Sequence, residues 1–342
     1  MRGLAFLLCT AVFPVMAVAQ DRAALILDLF ADLALPQTGA GLIELSYGAP
    51  GDIRALAQGL SPDQAAFMAS ARTLPPSIAQ TAAVAVQAGT RPTGIDLAAI
   101  ERVATMTRGP EAAMVLDLSG GAMGSLASGL RAAGYAEDDR LGTIIWARGA
   151  DDTRDPAARS DLFGGGIGRA SRIRILGDRV QQASSWALIE APQTAGMRGD
   201  LSALVAALDG DGMPPGTLAQ AQFFLDLPEG APIQAVAVAD MVDGGQDVGL
   251  LVGITTSLSA ADAMADAARL AWDTEPAGPA GESYQDLFGA QVIAESLRVD
   301  GAAMLVLQSA AEHVPNHPPW RNIHRERFLQ ILQSGAFWTL ID

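Results

Sequence analysis

Arg169, Arg172 and Arg174, with Arg179 close behind, form a basic patch in an otherwise acidic chain. Side chains alternate across a strand, so Arg172 and Arg174 share one face. Guanidinium groups placed in this way hold a carboxylate or phosphate through paired hydrogen bonds. Arg169, Arg172 and Arg174 are therefore the candidate ligand-binding residues, and a small anionic ligand is the matching partner. The competing expectation is internal pairing, since Asp151, Asp152, Asp155 and Asp161 lie close by in the chain.

Other residue types suggest chemistry less well. His313, His317 and His324, with Glu312, bring nitrogen and oxygen donors together, and imidazole is a common metal ligand. Helical metal pairs need spacings of three or four residues, and Pro315, Pro318 and Pro319 forbid a helix there. The expectation is a rigid connector without a metal. The run Phe163-Gly164-Gly165-Gly166-Ile167-Gly168-Arg169 has the glycines of a phosphate loop. It follows a charged loop rather than a strand, however, and leads into an alternating segment rather than a helix. No Gly-x-Ser-x-Gly elbow is present, and Ser184, Ser185 and Ser257 have no evident base. All 22 basic residues are arginine, which removes Schiff-base lysines, a P-loop lysine and any Ser–Lys dyad. No catalytic constellation and no cofactor is expected.

Composition bounds the setting. Arg2, the apolar run from Leu4 to Met16 and the Ala17-Val18-Ala19 site read as a signal peptide over residues 1–19, cleaved before Gln20. Cys9 is the single cysteine and would leave with it, so the mature chain would have neither disulfide nor thiol chemistry. A chain this long buries a sufficient core without disulfides. The expected location is periplasmic or secreted. The formal net charge is −16, or −17 once Arg2 is removed. That acidity excludes nucleic acid, whose affinity depends on cationic contacts. No later run reaches the length of a membrane span.

Positioning these residues requires scaffolding, and the chain signals it by repetition. Asp161-Leu162-Phe163-Gly164 recurs as Asp286-Leu287-Phe288-Gly289, each followed by a strand, a Gly/Asp turn and a second strand. The expected fold class is α+β: tandem duplicated ferredoxin-like (split β-α-β) modules with an N-terminal helical segment. The N-terminal segment covers 20–110, the first module 111–200, a linker 201–232 and the second module 233–342. Ser61-Pro62 opens one helix, and another is expected from Gly94 to Met106. A helix from Met123 to Ala133 ends at Gly134, and one from Ser259 to Trp272 has Ser259 as its cap. A final amphipathic helix spans roughly Trp320 to Leu340. Leu162, Phe163, Leu287 and Phe288 are expected to plug the two cores.

The stretch containing Gly94-Ile95-Asp96, Leu130-Arg131-Ala132-Ala133-Gly134-Tyr135, Ile144-Ile145-Trp146, Asp161-Leu162-Phe163-Gly164-Gly165 and Ser184-Ser185-Trp186 resembles a recurring pattern in exported bacterial envelope proteins. The resemblance covers about half of the mature chain and implies an exported location. It carries no activity and no functional residue. The residues therefore favour a non-enzymatic binding protein, engaging either an envelope protein or a small anionic ligand in a cleft between the modules. A hydrolase with a site assembled from distant residues is the remaining alternative.

Overall fold

The computed structural model describes residues 22–36, 41–57, 59–75, 78–79, 81, 92–140, 142–151, 153–158, 161–164, 167–191, 197–210, 213, 216–243, 245–277, 281–312 and 322–341. The expected signal peptide and its cleavage point lie outside the described residues, as do His313 and His317. Among the described residues no helix is long and apolar enough to cross a membrane.

The chain opens with α1 (Arg22–Ala31), β1 (Ile43–Gly48), α2 (Pro50–Leu56) and α3 (Pro62–Thr73). Next come β2 (Ile100–Arg108), β3 (Glu111–Leu118), α4 (Leu126–Ala132), β4 (Ala136–Arg140), β5 (Thr143–Arg148), β6 (Ser171–Leu176) and β7 (Arg179–Ala183). Then follow α5 (Trp186–Glu190), α6 (Gly199–Ala207), β8 (Thr217–Leu225), β9 (Ile233–Asp243), β10 (Gln246–Thr255) and α7 (Leu258–Ala271). The chain closes with α8 (Tyr284–Phe288), β11 (Ile293–Val299), β12 (Ala302–Glu312), α9 (Ile323–Ser334) and α10 (Ala336–Leu340).

Among the described residues the twelve strands form one sheet, in the order β11-β12-β10-β9-β8-β1-β2-β3-β7-β6-β5-β4. Helices and a large antiparallel sheet together make the fold α+β. Among the described residues every ladder is antiparallel. In each half two strands whose connection includes a helix run the same way and flank an antiparallel one: β3 and β6 flank β7, and β10 and β11 flank β12. Each half carries a strand, a hairpin, a helix and a second hairpin that returns beside the first. The orders are β1-β2-β3-β7-β6 and β8-β9-β10-β12-β11, joined where β1 pairs antiparallel with β8. The hairpin of β4 and β5 extends only the first half.

The two Asp-Leu-Phe-Gly segments precede β6 and β11, corresponding places in that order, but they differ locally. The first is a turn. The second ends α8, a helix capped by Ser283 and closed by Gly289 at φ 65. Asp161 is buried and Asp286 exposed, whereas Phe163 and Phe288 are both buried.

Several expected boundaries move. The stretch assigned as a linker, 201–232, holds most of α6 and the central strand β8. The helix expected from Gly94 to Met106 is a short 3-10 turn followed by β2. Ladder pairing to both β1 and β3 overrides local propensity there. The C-terminal helix divides into α9 and α10 at Gly335, which sits at φ 81. The cap of α7 is Ser257, whose hydroxyl accepts from the Ala260 N–H.

Helices cover both faces of the sheet. On one face α1 and α6 pack Ile26, Leu29, Phe30, Leu201 and Leu204 against Leu45, Met106, Phe223 and Val252. The other face has two separate cores. Leu126, Leu130, Leu162 and Phe163 cover Leu116, Trp146 and Ile173 in the first half. Trp272, Tyr284, Phe288 and Phe328 cover Val236, Leu251 and Leu305 in the second. Between these two cores α2 and α3 pack Ile53 and Ala69 against Ala219 of β8, and among the described residues an opening remains over the central strands.

Candidate functional site

The opening is a cleft of about 790 Å³, within the range typical of small-molecule sites. Its floor follows from strand register. Gln222, Ser46, Thr105, Met114 and Gln182 stand opposite one another in a single row across β8, β1, β2, β3 and β7. Alternation puts Leu45 and Met106 into the core on the far side and leaves hydroxyls and amides on the near side. Gln222, Met114 and Gln182 are buried, Ser46 and Thr105 half-buried, and all five line the cleft.

The walls are tied together by one carboxylate. Asp240 on β9 is fully buried and accepts from Arg72 Nε at 2.8 Å and Arg72 Nη2 at 2.5 Å. It also accepts from Asn322 Nδ2 at 2.8 Å. Arg72 belongs to α3, whose N-terminus is fixed by a Ser61–Gln64 capping box. Asn322 caps α9, accepting from the N–H groups of His324 and Arg325. Thus α3 and α9, the two helices flanking the cleft, are both anchored to the second half of the sheet. Burial alone disfavours a charged guanidinium, but Asp240 and Asp247 beside it hold the Arg72 pKa above the ordinary arginine value.

Both helices approach the sheet at glycines. A Cβ on Gly48 would lie 2.0 Å from the Thr73 carbonyl oxygen, at the end of α3. One on Gly249 would lie 2.6 Å from the Arg325 nitrogen, in α9. Larger residues at these positions would push the walls outward.

The first-half wall is the Asp-Leu-Phe-Gly turn. Asp161 accepts from Thr93 Oγ1 at 2.5 Å, Tyr135 Oη at 2.6 Å and the Gly164 N–H at 3.1 Å, and pairs with Arg148 at 2.8 Å. Thr93 sits at φ 54, a strained conformation for a β-branched residue, held by its bonds to Asp161 and the Leu162 N–H. Burial, then the Asp161 charge, push the Tyr135 phenol far above its usual pKa. Every oxygen of Asp161 is therefore engaged in holding the turn, which places Leu162, Phe163, Gly164 and Ile167 on the cleft.

The three candidate arginines separate. Arg169 lines the cleft. Its guanidinium has no hydrogen bond or ion pair among the described residues, and burial followed by the neighbouring Arg154 lowers its pKa. Arg172 and Arg174 lie on the opposite face with Ile145 and Ala183. Arg172 is 1% exposed and bonds Asp151 at 2.5 Å and the Gly149 carbonyl at 2.9 Å, with its guanidinium over the Trp186 ring. Arg174 donates to the Ile189 carbonyl at 2.7 Å. Both pin α5 and the loop at 149–151. Arg179 binds Asp28, Asp32 and Asp117, securing α1.

Two features escaped sequence reasoning. Arg325 falls on the polar side of the amphipathic pattern in the last helix, yet it lines the cleft. The signal was its position: a cation in the first turn of α9 opposes the helix dipole, an arrangement that needs a separate reason. The other feature is a Ser–His pair, with Ser309 Oγ 2.9 Å from His324 Nδ1. That spacing suits a nucleophile and base. Both residues are only 1% exposed and neither lines the cleft, so the pair serves to pack α9 on β12. Tyr47, on the cleft rim, is no better placed as a nucleophile, since burial and then Asp52 push its phenol up to about 12. Among the described residues no group of three His, Cys, Asp or Glu side chains gathers to hold a metal.

His324 gives the fold a pH dependence. Burial holds its pKa below the ordinary value of 6.5, so on acidification the unfolded chain takes the proton first. Stability is then full above pH 6.5 and falls as the pH drops below it. Urea midpoints measured at pH 7.5 and 5.5 should fall for the native chain and fall less for His324→Asn. Equal falls would show that His324 contributes nothing to the slope.

No family model matches the chain, and no curated protein does. Solved structures with some likeness include three crystal forms of TP0453. Form IV has a TM-score of 0.39 at 9% identity, covering 89% of this chain and 96% of that one. Form III gives 0.36 at 9%, covering 90% and 98%, and form I gives 0.35 at 10%, covering 90% and 97%. These scores are too low to carry fold detail or function across.

Proposed function

We propose that this chain is a non-enzymatic binding protein, exported to the periplasm or secreted, whose central cleft holds a small anionic ligand. The observation that carries the reading is Arg169. The chain has 38 acidic against 22 basic residues, and twelve of its arginines form ion pairs among the described residues. A half-buried guanidinium left without an acid among the described residues of such a chain carries an uncompensated desolvation cost. An anion entering the cleft removes that cost. Leu162, Phe163, Ile167 and Met114 line the same cleft, so an apolar body attached to the anion is accommodated. The matching strand orders of the two halves are what tandem duplication of one unit would leave, with the ligand at the junction. Export follows from the signal-peptide pattern and from the resemblance to envelope proteins.

Decanoate, with decanol as its uncharged analogue, tests this reading by calorimetric titration. Decanoate should bind the native chain, decanol at least tenfold more weakly, and Arg169→Gln should remove most of that difference, as loss of a charged hydrogen bond does. Equal binding of decanoate by the native chain and the variant would place the anion elsewhere.

A further inference from the structure

We infer that the cleft takes an elongated ligand with an anionic group at each end, the second end being held by Arg325. This rests on the ligand-cleft reading above and specifies the chemistry that the cleft selects.

Arg325 repeats the anomaly of Arg169 in the other half of the molecule. It lines the cleft, yet no carboxylate lies within ion-pair distance of it among the described residues. Among the described residues its guanidinium makes a single hydrogen bond, from Nη2 to Gln222 Oε1, at a long 3.3 Å. Its Nε is buried without a partner. Gln222 in turn donates to Glu44 at 2.6 Å, so the amide is held in place and presents its oxygen to Arg325. A planar fork with most of its donors idle suits a carboxylate or a phosphate.

The two arginines stand at opposite ends of the floor. Arg325 lies over Gln222 on β8. Arg169 lies two residues before Ser171, whose hydroxyl accepts from Gln182 on β7. From β8 to β7 the floor crosses β1, β2 and β3, a span of roughly 19 Å at the usual strand spacing. No single small anion bridges that distance. Between the ends the floor offers the hydroxyls of Ser46 and Thr105 and the thioether of Met114, with no charge in that row. One ligand satisfying both arginines is therefore long, uncharged in its middle and anionic at both ends.

Linear dicarboxylates of graded length supply the probe: hexanedioate, decanedioate and tetradecanedioate, each against the monocarboxylate of equal length. They are titrated calorimetrically at pH 7.5 into the full native chain, Arg169→Gln, Arg325→Gln and Arg325→Lys. The best-fitting diacid should bind the native chain at least about tenfold more tightly than its monoacid. Arg325→Gln should erase that preference. Arg325→Lys, which keeps the charge without the fork, should retain part of the preference, and Arg169→Gln should weaken both ligands. Equal affinity for diacid and monoacid in the native chain, or a preference that survives Arg325→Gln, overturns the second anion site and leaves the first standing. Absence of binding by every acid overturns the ligand-cleft reading and this inference with it.

Discussion

Replacing Asp240 by alanine is expected to destabilise the fold by about 3–5 kcal/mol, the cost of breaking a buried ion pair from one side. Asp240 is completely buried, and Arg72, paired with it, is 2% exposed. Without the carboxylate, the Arg72 guanidinium keeps only Asp247, at 2.8 Å, and the Asn322 side chain loses its acceptor. Two helices then lose their anchor together. The double variant Arg72→Met, Asp240→Leu should cost less than Asp240→Ala alone, because it removes the buried charge along with its partner. Urea denaturation of the three proteins reads the difference. A loss below about 1 kcal/mol for Asp240→Ala would show that water reaches Arg72 and that the cleft walls are not anchored there.

Phe288→Ala should be comparably severe, at about 3–5 kcal/mol, the range for truncating a buried aromatic ring. The ring lies 4.8 Å from Trp272 and 4.8 Å from Phe328, centroid to centroid, and 6.0 Å from His324. It joins α7, α8 and α9 over the second-half core. Phe163, in the corresponding place of the first half, is equally buried but borders the cleft. Phe163→Ala should therefore lower stability and also weaken decanoate binding, whereas Phe288→Ala should affect stability alone. Thermal denaturation paired with calorimetry separates the two, and a change below about 1 kcal/mol in either variant would show that ring to be exposed.

Local signals in the chain were legible wherever the backbone itself demands a residue type. Ser61 and Pro62 open α3 as expected, with the capping box formed. Gly134, at φ 84, follows α4, and the turns of both second hairpins carry glycine at positive φ, Gly177 and Gly301. The repeated Asp-Leu-Phe-Gly marked places of equal rank in the strand order. Its two copies still fold differently, because among the described residues Asp161 finds Thr93, Tyr135 and Arg148 while Asp286 finds only the Ser283 cap.

Long-range pairing was not legible. Ser46 stands opposite Gln222 only because β1 meets β8 across more than 170 residues of chain, and nothing local in either strand specifies that register. The edge strand β4 reads Ala-Glu-Asp-Asp-Arg, a composition that suggests a loop; the edge position tolerates it, since charges there deter further pairing. The arginines show the same limit. Period-two alternation correctly placed Arg172 and Arg174 on one face, but which face turns toward the cleft depends on the packing of Trp186 and Ile189. Arg325 was hidden by an amphipathic pattern that marks a polar face without revealing what lies opposite.

The central claim is that the cleft over β8, β1, β2, β3 and β7 is a ligand site organised by Arg169. A crystal structure of the chain grown with decanoate tests it most directly. The account predicts the carboxylate within hydrogen-bond distance of the Arg169 guanidinium, with the alkyl chain along Met114 and Phe163. Decanoate bound at another surface, with Arg169 paired to an acid of the chain itself, would contradict it.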